Sequence, residues 1–346
     1  FFVNIIKDYG TLPFAGIARM AFISQIILQD LKKKNLISKS EFENFFNSLQ
    51  LINSEISEDY KKLLKNKNFK KKFIKKYGHI RPSTYDINSL SYKENYNNYF
   101  SNKKINVSKS RIKKIYFKNK KKLNQIFLQK YKISFNYFLN YAKKNIKNRE
   151  YAKFLFSKGI DKIFENLLKL SKEINIKRSD LCYLDVKNIL NFYPKLESRK
   201  LKKAFVQEII ENKKEFNFTK MIKLPDVIKS KKDVYFFEEN IFKINFITTR
   251  KIIANFVDIS QKNIKKNLDG KIVLIKSADP GYDYIFNHNV KGLVTMYGGS
   301  NSHMAIRCLE LNIPAAIGIG KIKYESILKS NKLLLDCLKE KLYVIK

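Results

Sequence analysis

The chain has 346 residues, 44% of them apolar, which is enough for two domains with buried cores. Seventy Lys and Arg against 31 Asp and Glu give a formal net charge of +39, but the lysines are spread along the chain. There is no Arg-rich arm and no aromatic RNA-binding signature, which argues against nucleic acid as the main partner. Lysine, asparagine, isoleucine and phenylalanine are abundant together, as in chains from AT-rich genomes, and the even positive field still attracts phosphorylated ligands. Cys182, Cys308 and Cys337 form no metal or redox spacing, which suits a reducing cytoplasm. The most apolar run, Phe14 to Leu28, is interrupted by Arg19, so no membrane span and no membrane partner are expected.

In chain order, Gly10-Thr11-Leu12-Pro13 reads as a helix entry with Pro13 near its first position. Phe14, Ile17, Ala18, Ala21, Phe22, Gln25 and Ile26 follow the helical period. Ser38-Lys39-Ser40-Glu41 is a capping box opening a second helix, and a third covers roughly 55–76, ending at Gly78. The stretch Tyr77-Gly78-His79-Ile80-Arg81-Pro82-Ser83-Thr84-Tyr85-Asp86-Ile87 follows. It gathers His79, Arg81, Tyr85 and Asp86 in a segment that Pro82 keeps from being helical. Two readings stand level. One is a capped loop with Arg81 paired to Asp86. The other is a polar cleft, with Arg81 for a carboxylate or phosphate and His79 or Asp86 for proton transfer.

Residues 87–120 read as a long loop. Helices are predicted over 120–147, 149–173 and 195–216, with their aromatic residues in the core. Near residue 220 the texture changes. Lys223-Leu224-Pro225 and Lys229 to Lys232 read as a linker, with a hinge at 224–233. Strands are predicted at Val234–Phe237, Phe242–Thr248, Lys271–Lys276, Gly292–Met296, Ala315–Ile319, Lys332–Asp336 and Leu342–Ile345. Asp279 and Asp283 could orient His303 or be turn residues bonding their own backbone, and the turn reading is favoured.

Residues 295–320 hold the most informative pattern. Gly298, Gly299, Ser300, Asn301 and Ser302 lead into His303, then a short amphipathic helix and a strand after Pro314. This places an imidazole at a helix N-terminus, where backbone N–H groups and the helix dipole favour an anion. Such an imidazole can accept and carry a phosphoryl group. Gly298, Gly299, Ser302, His303, Ala305, Ile306, Glu310, Ile313, Pro314, Ala315 and Gly318 together resemble the phosphohistidine (swivelling) domain of phosphoenolpyruvate-utilising enzymes. The Arg that commonly precedes the helix Glu is Leu309 here, and Arg307 stands two positions earlier, available for phosphate or helix support.

The resemblance implies an α+β multidomain chain. An N-terminal all-α helical domain (1–222) that binds the acceptor is followed by a linker or hinge (223–240) and a β/α swivelling phosphohistidine domain (241–346). The order is similar to that of rifampin phosphotransferase, and a Tyr-Gly-His-x-Arg-Pro stretch in relatives favours a substrate-side role for His79, Arg81, Tyr85 and Asp86. It also implies that His303 takes a phosphoryl group, from ATP with Mg2+ or from phosphoenolpyruvate, and passes it to a small acceptor. No further Gly-rich phosphate loop is visible, so the ATP-binding domain is expected upstream in a longer protein or on a separate chain, with ATP and Mg2+ bound there. The start at Phe-Phe rather than Met agrees with a fragment. No metal site is expected in this chain. A non-catalytic phosphocarrier and a basic nucleic-acid-binding protein remain as alternatives.

Overall fold

The computed structural model describes residues 2–49, 51–100, 116–191, 194, 196–222, 224, 228, 230–235, 244–259, 267–300 and 302–345. Residues 101–115 of the expected loop lie outside these. So do 223, 225–227, 229 and 236–240 of the expected linker, residues 236–237 and 242–243 of two expected strands, and Asn301 of the phosphate turn.

The N-terminal region is helical. α1 (Phe2–Ile5), a π-helical segment (Ile6–Thr11) and α2 (Leu12–Lys33) run on without a break. Pro13 does stand near the first position of α2, as expected, but Gly10–Pro13 is not where the helix enters. The chain is already helical, and the wider π segment directly precedes the position where Pro13 lacks an N–H. This continuity also corrects the reading that no apolar run is long enough to cross a bilayer. Val3–Lys33 meets that test by length and composition, with mean hydropathy 1.5 and 28% of the window buried. Core helices of globular proteins meet it too, and Ala21 and Leu28 are fully buried here.

α3 (Lys39–Asn47) carries the predicted capping box: Ser38 Oγ accepts from the Glu41 amide at 3.1 Å, and the Ser38 amide donates to Glu41 Oε2 at 2.6 Å. The single helix expected over 55–76 is two, α4 (Ile52–Lys65) and α5 (Lys70–Tyr77). Asn66 is extended between them, its side chain accepting from the Asn68 amide at 2.9 Å, a local bond that competes with the helix. α6 (Tyr96–Tyr99) is one turn. The helices expected at 120–147 and 149–173 divide elsewhere. α7 (Lys120–Tyr131) stops at Lys132, which is left-handed, and α8 runs unbroken from Phe135 to Glu173. Ser134 starts it, its hydroxyl accepting from the Tyr137 amide at 3.1 Å.

The chain divides into two compact units. One comprises Phe1–Thr84, Ser91–Asp161 and Ile244–Lys346; the other comprises Tyr85–Leu90 and Lys162–Lys243. The smaller unit holds the end of α8, α9 (Val186–Asn191) and α10 (Ser198–Thr219) around Ile174, Phe205 and Ile209. Val234, expected to open a strand, closes a 3-10 turn (Lys231–Val234) that Ser230 and Asp233 cap.

In the larger unit the helical region has two cores. One gathers Leu28, Phe45, Leu123, Phe127, Phe135 and Phe138; the other gathers Tyr60, Phe73, Tyr77, Tyr92 and Phe100. The C-terminal region is a seven-stranded sheet. Its strands are β1 (Asn245–Ile247), β2 (Lys251–Asp258), β3 (Ile272–Ser277), β4 (Gly292–Tyr297), β5 (Ala315–Ile317), β6 (Lys332–Asp336) and β7 (Lys341–Ile345). Their spatial order is β1-β5-β4-β3-β2-β6-β7. β2, β3, β4 and β5 are parallel, while β1, β6 and β7 pair antiparallel. Strand β3 is buried on both faces, as a central parallel strand must be. Val273 and Ile275 pack with Met304, Ala305 and Cys308, whereas Ile272 and Leu274 pack with Tyr324, Ile327 and Leu335. β2 and the helix α12 (Lys321–Ile327) were not foreseen; β2 alternates exposed and half-buried residues before ending on the buried Val257 and Asp258.

Candidate functional site

Two loops leave the carboxyl ends of the adjacent parallel strands β3 and β4, where Ser277 stands opposite Tyr297. In open α/β sheets this is where ligands bind. The first loop passes Asp279 into a 3-10 segment, Pro280–Asn287. The second is the Gly298–Ser302 turn, which enters α11 (His303–Glu310). Gly298 has φ +141°, a backbone that side-chain-bearing residues avoid, and a Cβ there would lie 2.8 Å from that of Ala278. Gly299 and Ser300 are exposed, and the Ser302 amide donates to the Gly299 carbonyl at 2.9 Å. Ser302 caps α11, its hydroxyl accepting from the Ala305 amide at 3.4 Å. Met304, Ala305 and Cys308 anchor the helix in the sheet core, so His303 is held at its first position.

His303 is buried in a polar setting. Its Nε2 lies 3.1 Å from Asp283 Oδ1, and the same oxygen accepts from Arg307 Nε at 2.9 Å. Arg307 spends the rest of its fork on Glu310 Oε2 at 2.7 Å and Ser57 Oγ at 3.0 Å. Burial alone would push the Asp283 carboxyl up, but the Arg307 charge and the His303 contact outweigh it and hold the group below the usual carboxylate range. An ionised carboxylate only accepts, so the neutral imidazole carries its proton on Nε2 and its lone pair on Nδ1. The reading of Asp279 and Asp283 as turn residues therefore needs correction for one of them. Asp279 does cap its own turn, accepting from the Gly281 amide at 2.7 Å, whereas Asp283 reaches across to the histidine.

The Tyr77–Thr84 stretch comes to the same place. Ile80, Arg81 and Thr84 line a cavity of about 40 Å³ with His303, Pro280, Gly281, Ile52, Ile56 and the α8 residues Glu150, Lys153, Phe154 and Ser157. Gly281 admits this approach: a Cβ on it would sit 1.9 Å from the Arg81 carbonyl oxygen. Tyr92 donates its hydroxyl to the Gly281 carbonyl at 3.0 Å, and Thr84 Oγ1 donates to Asp279 at 3.3 Å.

The four polar residues of this stretch have different surroundings. Arg81 is buried and paired with Asp161, which also takes Lys93 at 2.7 Å. His79 is buried beside it, its Nε2 3.3 Å from the Phe154 carbonyl oxygen, and burial lowers its pKa to about 4. Tyr85 and Asp86 belong to the smaller unit, where Tyr85 is exposed and Asp86 accepts from the Asn88 amide at 2.9 Å. Sequence reading weighed Asp283 as a partner of His303 and set it aside in favour of a turn, and it missed the α8 side chains that line the cavity. Glu150, Lys153, Phe154 and Ser157 recur at helical spacing, a signal masked by the aromatic residues around them.

Among the described residues no group of three or more His, Cys, Asp or Glu is placed to hold a metal ion. Residues 267–339 match the family of the PEP-utilising enzyme mobile domain, so the β3–α11 site lies within a stretch of known kind. No curated protein matches the chain.

Proposed function

We propose that the chain is a phosphotransferase component in which His303 is transiently phosphorylated and hands the group to a small acceptor. The mobile-domain match supports a phosphotransfer role for residues 267–339. The observation that carries the finer reading is the placement of His303: first residue of α11, tautomer set by Asp283, and in the wall of a cavity shared with the Arg81 loop.

In this reading the imidazole lone pair forms a bond to phosphorus and the donor's leaving group departs. Asp283 stabilises the imidazolium so formed. An acceptor oxygen then attacks the phosphorus, and the N–P electron pair returns to the ring. Gly298, Gly299, Ser300, Asn301 and Ser302 remain the proposed phosphate-binding turn, and Arg307 acts through Asp283 rather than on the phosphoryl group. The cavity limits the acceptor. At about 40 Å³ it is small, so only the reactive end of a larger acceptor would enter it. A phosphoryl group or the reactive end of a small molecule fits. ATP with Mg2+, bound on an ATP-binding domain upstream or on a separate chain, or phosphoenolpyruvate, is the donor in this proposal. The divisions 1–222, 223–240 and 241–346, the hinge at 224–233 and the cytoplasmic setting belong to it as well. One histidine cannot reach two distant sites, so a rigid-body swing joins donor and acceptor.

The test is transfer. The chain is phosphorylated chemically with phosphoramidate, freed of reagent and mixed with a panel of small hydroxy and keto acids, with 31P NMR as readout. A new phosphate ester appearing as the phosphohistidine signal falls supports the reading. A phosphohistidine that decays only to inorganic phosphate with every acceptor favours a carrier charged and discharged by other proteins.

A further inference from the structure

Resting on the carrier reading, we infer that Lys153 of α8 is the cation that meets the phosphoryl group of His303 in the cavity. The charge balance of the lining points to it. Arg81 is committed to Asp161, and Glu150 is met by Arg149 at 3.1 Å. Arg307, the cation nearest in sequence to the histidine, has its Nε, Nη1 and Nη2 occupied by Asp283, Glu310 and Ser57. Lys153 is half-buried in the cavity wall, and its ammonium has no hydrogen-bond or ion-pair partner among the described residues. A phosphoryl group brings nearly two negative charges and three acceptor oxygens. Placed in this cavity it lies near the buried Asp283 and Glu150 carboxylates, so a cation is required there, and an ammonium with three donors supplies it. The device is conditional: Lys153 is on the helical region and His303 on the sheet region, so the charge is met only while the two regions are packed as here.

The experiment uses the whole chain and phosphoramidate. The imidazole lone pair forms the N–P bond, the reagent's P–N bond breaks, and ammonia leaves with its electron pair and takes up a proton. Phosphorylation and decay are followed by 31P NMR and intact mass in the wild type, Lys153→Gln, Lys153→Arg and, as an exposed control on the same helix, Lys147→Gln. The expected result is at least roughly tenfold slower charging or faster loss in Lys153→Gln, with near-normal behaviour in Lys153→Arg and Lys147→Gln. An independent readout needs no substitution. With lysines 13C-dimethylated, the Lys153 titration midpoint rises by about one unit when His303 is charged. Equal rates in wild type and Lys153→Gln, with an unmoved Lys153 titration, overturn the proposal and leave the carrier reading intact. A wild-type chain that never takes phosphate on His303 removes both.

Discussion

Asp283 joins the histidine to the arginine, and its removal separates a chemical role from a packing one. Asp283→Asn keeps the shape but not the charge, so the imidazole tautomer is no longer imposed and Arg307 keeps only Glu310 of its two counter-ions. His303 charging by phosphoramidate is expected to slow at least about tenfold, as when a triad histidine loses its fixed tautomer. A rate equal to wild type contradicts the role. His79 gives a pH signature. Burial lowers its pKa to about 4, so as pH falls below the unfolded value near 6.5 the unfolded state takes a proton that the folded state refuses. Stability is unaffected by this group above pH 6.5. It is lost progressively down to pH 4, by up to about 3 kcal/mol. Urea unfolding at stepped pH should show a shallower decline in His79→Gln over that window. The histidine, its cap and its glycines were legible because they are contiguous and obey local rules. Asp283 and Asp161 were not, since each meets its partner across 20 and 80 residues of chain and only packing brings them together.

At the level of elements, Gly281 is where the 3-10 segment meets the Arg81 loop. Gly281→Ala places a methyl inside the Arg81 carbonyl, so one loop must move, at a cost of about 1–3 kcal/mol. The urea midpoint should fall with an unchanged slope; an unchanged midpoint would mean that the two loops do not approach as described. The capping box of α3 and the apolar runs of β3, β4 and β5 were readable, because each is a strong local signal that its surroundings reinforce. Breaks set by single side chains were misread: Asn66 parts α4 from α5, and Ser134 rather than residue 148 starts a new helix. β2 escaped notice because Lys251 and Asn255 interrupt its short apolar runs, while its partner β6 lies some eighty residues on.

For the whole molecule, a swing of His303 requires that Arg307 leave Ser57 and that Tyr92 leave the Gly281 carbonyl. The double variant Ser57→Ala, Tyr92→Phe should loosen that packing. Hydrogen exchange at the amides of 80–84 and 281–285 is then expected to quicken about tenfold, with the β3 and β4 amides unchanged. Exchange that rises equally in the sheet would signal general destabilisation instead. The extreme charge adds a condition, for steering of phosphorylated ligands weakens with salt. The central claim is that one ring nitrogen carries phosphate, and it is tested most directly on protein isolated from its own cells under alkaline conditions. Peptide mass spectrometry should place an acid-labile, alkali-stable phosphate on His303, absent from His303→Ala. Phosphate found only on hydroxyl side chains, or none on His303 under any growth condition, contradicts the account.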